Sequence, residues 1–478
     1  MLSDHLFSQF DGISKKEWIE KIEKDLKGKP YQNLKKNNSA NIGIEPIYNS
    51  EDVQLKDEAP GGNSYRRGSK TQNNEWVIDE LFELTENPKA DNSKILELLN
   101  TGLTGITFNG DISGEVLNDI LPQYVTLGFN GYSNLRETIE VLISKFGTNP
   151  NTYSIHLNYD PIGEGAITGN FSPKFINEGI DAIKQLTPYK LARVFTVNGN
   201  SYHNAGGNAV SEITFALAHA HEYLVAMLKA GLTIDEASAQ IKFDLASGSD
   251  YFLELAKFRA FRMLWAQVID AYKPEHNCSK TAYIHAQSSQ FLSTVFDPYV
   301  NMLRGTTQSM SAALGGCDAL RVLPFNTAWS KGNDFGKRIA RNTQLLIKEE
   351  SYFDKVIDPA GGSYYIESLT DSLVEKAWTK FRKIEKKGGF LGLMTSGNLA
   401  RELGEDADEQ ILRLNDGETK VLGVTLYPNN DEKMLSEIEE TDSIMENNEP
   451  NFAPIKLLRL VGKKEEERLN LELTEADK

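Results

Sequence analysis

The chain has almost no cysteine: Cys278 and Cys317 are the two in 478 residues. Two thiols make no disulfide framework, and no CxxC occurs, so neither a stapled secreted scaffold nor a thiolate metal site is expected. Long apolar runs are missing as well. A transmembrane helix needs roughly 18 or more consecutive apolar residues, and none are found. Positive charge is in deficit, with 51 Lys and Arg against 68 Asp and Glu and a formal net charge of −17. Nucleic-acid and anionic-membrane binders need basic surfaces, so this balance argues against both partners. The opening stretch MLSDHLFSQFDGISKKEW carries acids and no apolar core. It reads as neither a secretory signal nor a transit peptide, and the expectation is a cytoplasmic protein. Also missing are a phosphate loop and any metal-ligand spacing. His219 and His221 lie two apart on an expected helix, about 200° around it, and cannot chelate one ion.

What is present is ordinary for a globular chain: 40% hydrophobic and 25% charged residues. The length suits one large barrel with extensions. Residues 1–75 are polar and read as an arm, with an amphipathic helix at Ser14–Leu26, an extended Ile42–Asp52 and a Gly-rich loop carrying Arg66 and Arg67. Those arginines suit a phosphate, a partner's carboxylate or a solvated loop. From residue 76 to 400, strand and helix patterns alternate. Strands are expected at Gly105–Asn109, Tyr124–Phe129, Tyr153–Asn158, Arg193–Asn198, Gln240–Leu245, Ala282–Gln287, Ala319–Leu323 and Val356–Asp358. Helices such as Val210–Leu228 and Tyr251–Tyr272 separate them, on the outer ring. Eight such units predict an α/β fold, a (β/α)8 TIM-type barrel, with an open doubly wound sheet as the alternative. GEGAITG (163–169) has the wrong glycine spacing for a dinucleotide fingerprint and reads as a barrel loop. Residues 401–478 read as a helical tail, with acidic helices at Glu402–Leu414 and Asp431–Glu446 and a strand-like Lys420–Tyr427.

Several blocks stand out in order: SANIGIEPIYNSED (39–52), GGNSYRRG (61–68), LAKFRAFRMLWAQV (255–268), TAYIHAQSSQ (281–290), RIARNTQ (338–344) and DPAGGSYYIE (358–367). Between them lies DPYVNMLRGTTQSMSAALGGCDALRVLP (297–324). In this order they resemble the adenosylcobalamin-dependent coenzyme A mutases, and among these the methylmalonyl-CoA mutases. The resemblance implies a barrel threaded by a CoA ester and a radical carbon-skeleton rearrangement between (R)-methylmalonyl-CoA and succinyl-CoA. It also implies a flavodoxin-like cobalamin domain with DxHxxG, a motif that does not occur in this sequence. In some members a catalytic large chain pairs with a related small chain that has no active site.

The positions that the family uses for substrate are altered here. VIDELFEL (77–84) lacks the Tyr of RQYAGF, and GAITGN puts Thr168 where active chains have Gln in GTIQND. Ser201, in NGNSYHNAG, stands where the thioester-binding His would be. His203 two residues on would share a face with Ser201 in extended structure. Gln240-Ile241-Lys242 replaces the CoA-phosphate RLS, and RVLPFNT, with Leu323, replaces the ribose-binding HTNSxDE. His285 and Gln287 are retained from the strand bearing HxQ. Read alone, His285 on a strand is an ordinary core histidine. No residue of this chain is expected to be catalytic, to bind a cofactor or to hold a metal. The loop that follows GTIQND in active chains and carries a substrate-carboxylate Arg is missing after GAITGN, and losing that Arg with the His and the Tyr points to the structural small subunit of a heterodimer, with adenosylcobalamin and the CoA ester held by the large chain. Two alternatives stay open: a competent mutase chain that borrows cobalamin from a separate subunit, and a barrel scaffold with no mutase role.

Overall fold

The computed structural model describes residues 12–53, 58–147, 151–439 and 450–476. Two short strands in the arm, β1 (Lys36–Asn37) and β2 (Gly43–Ile44), form an antiparallel ladder. Eight parallel strands then close a barrel: β3 (Val77–Glu83), β4 (Gly105–Asn109), β5 (Thr126–Asn130), β6 (Ile155–Tyr159), β7 (Arg193–Asn198), β8 (Ile241–Ser247), β9 (Tyr283–Ser288) and β10 (Ala319–Arg321). The order around it is β10-β3-β4-β5-β6-β7-β8-β9, a TIM-type barrel with helices outside.

One expected strand is replaced. Val356–Asp358 is not a strand: Val356 is exposed and Asp358 has φ 46°, in a turn closed by Gly361 N–H donating to the Asp358 carbonyl. The eighth strand is Val77–Glu83 instead. Its acids break the apolar alternation, because Asp79 faces the barrel axis and Glu80 meets a helix outside. Other boundaries lie within a few residues of expectation.

The helices Ala209–Lys229 and Tyr251–Ala271 are buried on most sides. Phe243 of β8 packs edge-on against Phe261 and Trp265 on the inner side, and the Tyr364–Lys386 helix covers the outer side. Residues 163–169 are not a loop. Residues 163–168 belong to the Pro161–Thr168 helix, started by the Asp160 side chain on Gly163 N–H and by Pro161 in the first turn, and Gly169 caps its end. In the tail, the Asn398–Asn415 helix contains the expected Glu402–Leu414. Lys420–Tyr427 forms a tight turn with a lone Leu422–Leu426 bridge, not a strand. Of the expected helix at Asp431–Glu446, residues 431–439 hold only a short 3-10 turn, Leu435–Glu437, and the remainder lies outside the described residues. No helix among the described residues is long and apolar enough to cross a membrane.

The arm is held by a buried charge cluster that three of the sequence blocks build together. Arg66 from GGNSYRRG and Arg259 from LAKFRAFR both bind Glu367 of DPAGGSYYIE, at 2.6 and 2.7 Å. Arg67 and Arg259 bind Asp358 at 3.0 and 3.3 Å, and Gly362 N–H donates to Glu367. Arg66 also reaches Asp371. Burial pushes the Glu367 carboxyl up, but Gly362 N–H and the two guanidinium groups outweigh it and hold it below its ordinary value. The two arginines of the loop therefore meet carboxylates of their own chain, neither a phosphate nor solvent. Removing one partner of a buried pair strands the other charge at a cost of about 3–5 kcal/mol. Glu367→Ala is expected to lower the unfolding free energy by that amount in urea titration and to make residues 58–75 the first site of limited proteolysis. Glu367→Gln should lose less.

Candidate functional site

The inward positions of the strands carry charge. Arg321 Nε on β10 donates to Asp79 Oδ2 on β3 at 2.9 Å, and these two residues are cross-strand partners in the register. Asp79 Oδ2 lies 3.0 Å from His285 Nε2 on β9. His285 Nδ1 lies 3.3 Å from Asp244 Oδ1 on β8, and Asp244 binds Lys242 Nζ at 2.9 Å. Thr107 on β4 adds a hydroxyl on Asp79 at 3.0 Å. A continuous chain, Arg321–Asp79–His285–Asp244–Lys242, thus crosses the barrel interior.

Electrostatics follow from this packing. Burial pushes Asp79 and Asp244 up, but Arg321 and His285 outweigh it at Asp79, and Lys242 and His285 at Asp244. Both carboxyls are held well below the usual range. His156 on β6 is pushed well below an ordinary imidazole, first by burial and then by Arg193 and Lys242. Tyr283 on β9 is raised by burial, and the Arg193 guanidinium stacks 4.4 Å from its ring centre. The two aspartates of the interior are matched by Arg321, His285 and Lys242, whereas Arg193 has no salt bridge among the described residues and its Nε has no hydrogen-bond partner.

The residues singled out in the sequence separate into four places. Lys242 and His285 are buried in the charge chain. Gln287 and Leu323 line a cavity of about 100 Å³ at the C-terminal mouth between β9, β10 and β3, where the Leu323 N–H donates to Ser288 Oγ. Thr168 and Ser201 lie on the rim. The Thr168 hydroxyl is spent on the Glu164 carbonyl of its own helix, at 2.9 Å. Ser201 is buried on the short Gly199–Asn204 helix. Because that segment is helical, not extended, His203 is turned about 200° from Ser201 and shares no face with it. His203 Nε2 bonds Ser289 Oγ at 2.7 Å, and its Nδ1 is 3.9 Å from Glu212. Gln240 caps the Ile234–Ala239 helix at the opposite, N-terminal end of the barrel. Asp79, Asp244, Arg321 and Arg193 were not among the expected site residues. The signal for Asp244 was the alternation Lys242-x-Asp244, charge at two successive inward positions of one strand.

The segment after residue 450 crosses the C-terminal rim. Phe452 N–H donates to the Gly169 carbonyl, Ile455 to Ala166, Leu458 to Asn204 and Leu460 to Phe291. Gly169 has φ 72°, and a Cβ there would meet Pro450 and Phe452, so the contact needs glycine.

A closed barrel of eight parallel strands with helices outside defines a (β/α)8 protein. The chain belongs to the methylmalonyl-CoA mutase family: the family's model, described as Methylmalonyl-CoA mutase, matches residues 139–475. A relative from Porphyromonas gingivalis, described as methylmalonyl-CoA mutase small subunit, is 35% identical, with 89% of this chain and 71% of the relative covered. The small subunit of Propionibacterium freudenreichii subsp. shermanii is 31% identical over 88% of this chain and 70% of its own. A methylmalonyl-CoA mutase of Rhizobium meliloti is 36% identical over 51% of this chain and 35% of its own.

Among the described residues no group of three or more His, Cys, Asp or Glu is placed to hold a metal. His156, His203, His219 and His285 are buried, and His221 is held by Glu385 and Tyr272.

Burial gives a pH signature with a definite sign. His203, faced by Glu212, Glu254 and Lys257, is pulled down to about 3, first by burial and then by Lys257. A histidine protonated only in the unfolded chain costs nothing above the unfolded value near about 6.5, and about 1.4 kcal/mol per pH unit below it. At pH 5 that is roughly 2 kcal/mol. His203→Gln is therefore expected to flatten the fall in urea-unfolding stability between pH 6.5 and pH 5 by about that amount. An unchanged slope would contradict the assignment.

Proposed function

We propose that this chain is the structural, non-catalytic small subunit of a two-chain methylmalonyl-CoA mutase. A large partner chain binds adenosylcobalamin and the CoA ester and interconverts (R)-methylmalonyl-CoA and succinyl-CoA. The observation that carries this reading is the ion chain Arg321–Asp79–His285–Asp244–Lys242 across the barrel axis. An acyl-CoA threading the barrel would have to break it, and each broken pair leaves a buried charge. The mouth cavity, at about 100 Å³, is also well under the roughly 300–1,000 Å³ of typical small-molecule sites. The names of the similar small subunits support a larger partner, and the expected cytoplasmic location suits such an assembly. On this reading residues 1–75 contribute to the contact between chains, residues 76–400 are the mutase-type barrel and residues 401–478 are a tail, with Thr168, Ser201, Gln240, Lys242 and Leu323 as vestiges of substrate positions.

Two outcomes test it. The isolated chain should show no turnover of methylmalonyl-CoA with added adenosylcobalamin, and co-expression with a large mutase chain should give one one-to-one peak in size-exclusion chromatography. Turnover above a no-protein control, or separate elution at micromolar concentration, would contradict the proposal. Ser201→His, paired with a large chain whose own site is disabled, should restore nothing, because groups that act as a unit are not recovered singly.

A further inference from the structure

The small cavity at the C-terminal mouth is more than a remnant. Most of the charges around it are already matched: Asp79 by Arg321, and Glu80 by Arg341 at 2.6 Å. Glu83 accepts from Asn109, and the Thr327 hydroxyl donates to the Pro324 carbonyl. Three polar side chains that line the cavity have no such match among the described residues. Gln344, the last residue of the RIARNTQ block, is 1% exposed, and its Oε1 has no hydrogen-bond partner. Gln287 makes no side-chain hydrogen bond, and half-buried Lys337 makes neither a hydrogen bond nor a salt bridge. Lys331 also lines the cavity, and the rest of the wall is apolar, from Leu81, Val322, Leu323, Pro324 and Ala340.

A buried orphan acceptor costs about 1–3 kcal/mol, and an apolar cavity with a few convergent polar groups is the usual form of a ligand site. The groups specify complementary chemistry. Lys337 offers three donors and a positive charge, which suits an anionic oxygen. Gln344 Oε1 requires a donor such as a hydroxyl. The Gln287 amide can donate to a second oxygen. The cavity, about 100 Å³, admits only a few heavy atoms. We propose that the mouth of this barrel is a binding site for a short hydroxycarboxylate, with its carboxylate on Lys337 and Gln287 and its hydroxyl donating to Gln344. The Arg321–Asp79 end of the ion chain forms part of the wall of this site, and the proposal does not depend on whether the chain is catalytic.

The test is calorimetric or ligand-observed NMR titration of the full chain with glycolate and lactate, against acetate, propionate and inorganic phosphate. Saturable binding of a hydroxycarboxylate, about tenfold tighter than its deoxy analogue, is expected. Lys337→Met should weaken every carboxylate about tenfold. Gln344→Leu should remove the hydroxyl preference and leave the carboxylate binding. Lys337 has no salt bridge to lose, so that variant keeps the test valid if Gln344→Leu unfolds. No saturable binding at tens of millimolar would overturn the proposal. So would affinity unchanged by Lys337→Met, or equal binding of phosphate and deoxy acids, which marks a nonspecific anion site.

Discussion

Charge inside a barrel has to be paired, and most of this structure can be read from that requirement. Two aspartates, two basic side chains and one histidine occupy inward positions on four strands, where a (β/α)8 core more often holds branched apolar residues. Each is tolerable only because the next one neutralises it. Such a chain adds little net stability relative to an apolar core of the same shape, since desolvation offsets most of the Coulombic gain. Its effect is on specificity: it sets which strands lie side by side, and it fills the axis. A barrel that must let a long thioester through cannot carry it.

The same requirement fixes the outer parts. Arg66, Arg67 and Arg259 join the arm, a barrel helix and the Asp358–Gly362 turn through two carboxylates. These residues come from blocks that mark the family in the sequence, yet in this chain they build architecture. On the function proposed above, a shared motif serves two different chains of one enzyme, one that does chemistry and one that holds the fold. The distinction lies in the inward and rim positions, where Thr168, Ser201 and Lys242 are occupied with partners or buried away from the axis.

Much of the fold was legible in the sequence. Seven of the eight strands announce themselves by short β-branched and aromatic runs between helical patterns, and β7 matches its expected span. Val77–Glu83 did not, because a strand with Asp79 inside and Glu80 outside has no apolar alternation to read; its carboxylates make sense only beside Arg321 and Arg341, both more than two hundred residues away. Val356–Asp358 looked extended because of its β-branched pair, but Asp358 is placed by two arginines in a turn. The site was legible only as a set of losses. That Ser201 and His203 diverge depends on a six-residue helix that its Gly- and Asn-rich sequence gives little reason to expect. The charge chain was visible in fragments, as Lys242-x-Asp244 and His285, without the partners that join them.

The most direct measurement is the stoichiometry of CoA-ester binding to the purified two-chain complex, titrated in the absence of turnover. If this chain's axis is closed by its ion pairs, one ester binds per complex, in the large chain. Two equivalent esters per complex would mean that a thioester can displace the Arg321–Asp79–His285–Asp244–Lys242 chain, and that this barrel is a working substrate channel.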